Sequence, residues 1–110
     1  MADFVIKQAD LEPELAVTLI GADGAPADLT TASSVRLRFA STAGVELWVR
    51  DADIVDAPTG RVAYVWQAGD TDIAGSFYAE LVVDWAGRPQ TYPPSGYLLI
   101  VVEPRLQRVS

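Results

Sequence analysis

Val35-Arg36-Leu37-Arg38-Phe39 is the stretch that decides the fold. Apolar and basic residues alternate through it, so an extended chain turns one side greasy and the other cationic. On a helix the same five residues scatter around the cylinder and leave no coherent stripe. The pattern recurs. Val62, Tyr64 and Trp66 form a second row. Phe77, Ala79, Leu81, Val83 and Trp85 form a third, opposite Tyr78, Glu80, Val82 and Asp84. Breaks with a mechanism separate the rows: Asp23-Gly24, Ala43-Gly44, Pro58-Thr59-Gly60, Ala86-Gly87 and Pro93-Pro94-Ser95-Gly96. Glycine permits positive φ, and proline fixes φ while removing a donor. The spacing predicts strands at 4–8, 14–20, 34–40, 45–50, 61–67, 76–85 and 96–103. Asp70 and Thr71 offer caps for a short helical turn at 70–74. About seven or eight short strands with regular turns point to an all-β, antiparallel sandwich.

The 110 residues suit one domain over 1–110, with a core spanning about 4–103 and short tails. Pro104 is expected to end the last strand, since it cannot donate to a ladder. Eight basic against fifteen acidic residues give a net charge of −7. That charge repels a phosphate backbone, so no nucleic-acid partner is expected. No apolar run reaches the roughly 18 residues of a membrane span, so no membrane partner is expected either. Met1-Ala2-Asp3-Phe4 carries no basic region followed by a long apolar run, which predicts synthesis in the cytoplasm.

The sequence has no histidine and no cysteine, which excludes disulfides, thiolate zinc sites, cysteine nucleophiles and a Ser-His-Asp relay. Asp51, Asp53 and Asp56 cluster, as do Asp70 and Asp72, and carboxylates suit calcium. Counted from Asp51, however, the sixth and twelfth positions of an EF-hand loop hold Asp56 and Val62, so that pattern fails. Solvated strand connections and turns explain the same residues, and no metal or cofactor site is assigned. Lys7, the single lysine, has no Ser-x-x-Lys pattern, and nothing selects a catalytic carboxylate pair. A non-enzymatic protein is expected.

Tyr64, Trp66 and Trp85 fall in inward rows and read as core. Trp48, in a mixed strand, and Tyr92, in a turn before Pro93, are the candidate surface aromatics and the candidates for stacking on a sugar ring. The run Tyr97-Leu98-Leu99-Ile100-Val101-Val102 is apolar at every position. A two-layer sandwich buries only one parity of a strand. The other is left for a partner or for a covering segment such as Phe4-Val5-Ile6. Leu98, Ile100 and Val102, with Tyr78 and Val82, form the candidate partner surface.

The order of motifs resembles a known family. Phe4-Val5-Ile6-Lys7-Gln8-Ala9-Asp10-Leu11 is followed by Leu15-Ala16-Val17-Thr18-Leu19 and by Asp23-Gly24-Ala25-Pro26-Ala27-Asp28-Leu29-Thr30. Val35–Phe39, Thr59–Trp66, Gly69–Gly75, Phe77–Val83, Thr91-Tyr92-Pro93 and Gly96-Tyr97-Leu98 complete the series. It is similar to the immunoglobulin-like domain of tailed-phage baseplate upper proteins and of small phage virion proteins. Gly75-Ser76-Phe77 departs from that pattern by placing the tyrosine one residue later, so Phe77 reads as core. The resemblance implies an immunoglobulin-like sandwich and a structural virion protein in the tail, baseplate or capsid decoration, docked to neighbouring virion subunits. It leaves homo-oligomerisation open, and a host-surface glycan module is the alternative.

Overall fold

The computed structural model describes residues 2–106. Among the described residues eight strands make up the regular structure: β1 (Phe4–Lys7), β2 (Leu15–Thr18), β3 (Ser34–Ser41), β4 (Glu46–Asp56), β5 (Arg61–Tyr64), β6 (Gly75–Trp85), β7 (Arg88–Tyr92) and β8 (Leu98–Glu103). They form the expected immunoglobulin-like β-sandwich. The order is β1-β8-β6-β3-β4-β5-β2, with β7 beside β6.

Two long strands build both layers. β6 lies against β3 along its length; its other side pairs with β8 over Gly75–Ala79 and with β7 over Leu81–Trp85. β4 pairs with β3 through Ala52 and then with β5 from Asp53 onward, so it passes from the larger layer into the smaller one. One pairing departs from the all-antiparallel expectation. β1 runs parallel to β8, in register from Phe4 with Ile100 to Lys7 with Glu103.

The alternating rows dictate what is buried. Val35, Leu37 and Phe39 meet Ala79, Leu81 and Val83 across the β3–β6 ladder, and all six are core. Val62, Tyr64 and Trp66 close the core from the smaller layer. An aromatic cluster fills one end: Phe39 stacks on Trp48 at 4.7 Å and on Phe77 at 4.8 Å, while Trp66 meets Tyr64 edge-on at 5.3 Å. Phe77 is thus packed against the core as its apolar ring requires.

Four expectations of the sequence reading change. The segment 51–56, expected as a solvated connection, is the second half of β4 and binds the layers together. The segment 88–92, read as a turn and its sequel, is β7. No helix forms at 70–74; residues 68–71 are a turn closed by Asp70 N to Gln67 O at 3.0 Å. The carboxylate expected to cap forward is drawn inward instead, as described below. The last strand starts at Leu98 rather than at Gly96, and ends at Glu103 before Pro104.

Gly60 shows why glycine stands in the β4–β5 turn. Its φ is +71°, and a Cβ there would lie 2.7 Å from the Ala27 carbonyl oxygen and 3.0 Å from that of Leu19. Leu19 N donates to Gly60 O at 2.8 Å and Ala27 N to Leu19 O at 2.8 Å, so three chain segments meet without room for a side chain.

Candidate functional site

The β3–β6 register that buries one row exposes the other. Arg36 lies between Asp51 and Val82, Arg38 between Val49 and Glu80, and Ala40 next to Tyr78. Leu99 joins Tyr78 from β8, and Val5 joins Val101 from β1. The outer face of the larger layer therefore has an apolar end and a charged end. Tyr78 stacks on Tyr97 at 4.8 Å and 22°, and Tyr97 remains 56% exposed. The Nε of Arg38 donates to Glu46 Oε1 at 2.9 Å. A shallow trough of about 450 Å³ crosses this face, lined in part by Arg36, Val49, Val82, Asp84 and Pro89. A smaller recess of about 140 Å³ lies beside it, against Arg38, Glu46, Tyr78, Glu80 and Tyr97.

Two of the charged groups here lack partners. Among the described residues Arg36 makes no ion pair and no side-chain hydrogen bond. Asp84 is half-buried, and its Oδ1 is sealed from water without a donor.

The strand edges, by contrast, are blunted. β1 and β2 have four residues each, and Lys7 stands on β1, paired with Glu103 at 3.8 Å. β7 carries Pro89. The open edge of β4 has a bulge opposite Phe39 and Ala40 and turns the charged Arg50 inward. Short length, lysine, proline, bulges and inward charge are the devices that stop a sheet edge from recruiting another strand.

A second polar cluster sits inside. Asp70, with its side chain 1% exposed, takes the Tyr64 hydroxyl at 2.5 Å, the Gln67 backbone N–H at 2.9 Å and the Arg50 guanidinium at 3.4 Å. Arg50 also lies over the Trp48 ring at 5.1 Å. Burial, and then the bond to Asp70, push the Tyr64 hydroxyl well above the usual tyrosine range. Burial does the same more weakly to Tyr92. On the surface, the Thr30 hydroxyl and then its N–H hold the Asp28 carboxyl below its ordinary value. Asp70 is fully engaged by its own chain, and its role is to tie β4 to the turn before β6. Among the described residues no group of three or more aspartates and glutamates lies close enough to hold a metal ion.

The candidate residues from the sequence fare differently. Tyr78 and Val82 lie on the outer face, half-buried. Leu98, Ile100 and Val102 do not: Ile100 and Val102 are core residues and Leu98 packs against the core. The outward parity is Leu99 and Val101, because Ile100 pairs with inward Phe77 and inward Phe4. Neither candidate surface aromatic is free. Tyr92 is 5% exposed, opposite Leu81, and Trp48 is half-buried, stacked on Phe39 at the margin of the core. The two rings therefore do not form an open platform on which a sugar could stack. Arg36, Arg38 and Tyr97 are the outer-face residues that the sequence reading had not assigned to a surface for partners. The signal for the two arginines was present in the basic parity of 35–39, but which strands flank them is a matter of register.

No family model and no curated protein matches this chain. The chain is similar in fold to CopC from Methylosinus trichosporium OB3b. The likeness covers 99% of this chain and 91% of that one, with a TM-score of 0.56 and 10% identity. It supports the sandwich and, at that identity, nothing finer. The comparisons correct the family reading: the motif order resembled tailed-phage virion proteins, yet no family model bears this out and CopC is a structure that the chain does resemble in fold. The expected virion role, the tail, baseplate and capsid placements, the virion subunits as partners and the alternative of a host-surface glycan module lose their basis together. The motifs that suggested them are strand alternation and turn glycines, which any sandwich of this kind requires.

Proposed function

We propose that this chain is a non-enzymatic protein-docking module whose working surface is the outer face of its larger layer. The observation that carries the reading is the contrast between that face and the edges. The face is broad, open and sown with Tyr78, Tyr97, Arg36 and Arg38 among valines, while each edge bears a device against strand addition. Tyrosine and arginine are enriched where proteins meet and lysine is depleted; the single lysine, Lys7, stands at the margin of this face on β1, paired with Glu103. The Tyr78–Tyr97 stack offers a preformed aromatic anchor, and the Arg38–Glu46 pair a polar rim.

The test is differential capture. Immobilised wild-type protein, Tyr97→Glu and Asp53→Ala (an exposed residue of the smaller layer) are each exposed to an extract of the cells that make the protein. Proteins retained by wild type and Asp53→Ala but lost with Tyr97→Glu support docking by this face. Retention of the same set by all three overturns it.

A further inference from the structure

Resting on that reading, we infer that the occupant of the outer face is a second copy of this chain, related by a two-fold axis that sets Arg36 of each copy against Asp84 of the other. The two residues lie diagonally on adjacent strands: Arg36 is paired with Val82, and Asp84, two residues on, with Ser34. A diagonal across an antiparallel ladder spans about 7–8 Å, and no bond joins the two side chains within the chain. Each is therefore left on the same trough without an ion pair of its own, although Asp51 stands opposite Arg36 on β4.

The signs select the partner. An acidic partner would meet Arg36 and leave Asp84 stranded, and a basic partner would do the reverse. A two-fold axis lying in the interface, midway between the residues, brings opposite charges together twice, because one patch then serves as both halves of the contact. Asp84 already bears the cost of desolvation at Oδ1 without a donor. Oδ1 is closed off by the chain itself, so a guanidinium from across the interface meets the remaining, open part of this half-buried carboxylate, and Val82 and Pro89 beside it exclude water. The area suffices. About five strands spaced ~4.8 Å apart, over about eight residues rising ~3.3 Å each, give a plan area of roughly 600 Å². Corrugation by side chains brings this near the ~800 Å² per partner of a standard stable interface.

The experiment is sedimentation equilibrium of the full chain at 0.15 M salt. Wild-type protein is expected to dimerise, while Arg36→Asp and Asp84→Arg each raise the dimer dissociation constant about 100-fold or more. An equimolar mixture of the two variants restores a dimer, since Arg36→Asp on one copy then faces Asp84→Arg on the other and the second contact keeps its native residues. Val82→Glu, at the centre of the face, breaks the dimer without touching either charge; circular dichroism confirms that each variant is folded. Wild-type protein that stays monomeric at 100-fold above a micromolar concentration, or single variants that dimerise like wild type, overturn the inference. A monomer whose captured proteins still depend on Tyr97 leaves the docking reading standing and removes only the second copy. Capture indifferent to Tyr97 removes the reading itself.

Discussion

Replacing Asp70 with alanine tests whether the interior polar cluster holds the two layers in place. The carboxylate is sealed from water and serves three donors, from Tyr64, Gln67 and Arg50. Its removal strands the Tyr64 hydroxyl in the core, at about 1–3 kcal/mol for a buried group without a partner. It also removes the counter-charge of Arg50. A fully buried pair broken this way costs about 3–5 kcal/mol, but the Arg50 side chain is 39% exposed and water recovers part of that. A total of about 2–4 kcal/mol follows, or a fall in Tm of roughly 8–16 °C for a domain of this size. Asp70→Asn keeps the shape but offers one acceptor oxygen to the same donors, so its loss should fall between those of wild type and alanine. Urea unfolding of wild type, Asp70→Ala, Tyr64→Phe and the double variant gives the coupling directly. Residues in one hydrogen-bond network couple by about 0.5–3 kcal/mol. An Asp70→Ala cost below about 1 kcal/mol, or strict additivity with Tyr64→Phe, would show that the cluster does not hold the layers as argued.

Three further outcomes are expected. Ile100→Ala should cost about 2–5 kcal/mol in urea unfolding and Leu99→Ala much less, because Ile100 is fully buried and its neighbour faces outward; equal costs would contradict the parity of β8. Gly60→Ala should lower stability by at least about 1–2 kcal/mol, since alanine pays for a left-handed φ and its Cβ meets two backbone carbonyls; an unchanged Tm refutes the close approach. Stability should fall as pH rises above about 10, where an unfolded tyrosine ionises while Tyr64 and Tyr92, with raised folded values, stay neutral. In that range the folded state binds more protons than the unfolded one, so the slope is negative. Tyr64→Phe should flatten it in unfolding curves taken from pH 9 to 11, and an undiminished slope would count against burial as the cause.

Which face of β3 and of β6 is buried could be read from the chain alone. A strand has a strict period of two, and only one parity of 35–39 and of 77–85 is consistently apolar, so the core rows Val35–Leu37–Phe39 and Ala79–Leu81–Val83 required no other information. At 97–102 both parities are apolar, the period carries no signal, and pairing with Phe4 and Phe77 made the choice. The same holds for Tyr92. A turn-like sequence around a proline reads as surface, yet β7 lies antiparallel to β6 and lays that ring opposite Leu81. Asp51, Asp53 and Asp56 looked like a loop because strands rarely carry so many carboxylates. β4 tolerates Asp51, Asp53 and Asp56 because all three side chains reach water, Asp56 opposite Arg61.

The sequence by itself determined an all-β chain, its turns and the inward rows of its two central strands, because backbone geometry ties those features to local alternation and to glycine and proline. Only the tertiary structure decided that Asp70 is an interior anchor rather than a cap, and that Arg36 and Asp84 share one open face without meeting. Partners across a ladder are set by register, and register is fixed by the packing of residues far apart in the chain.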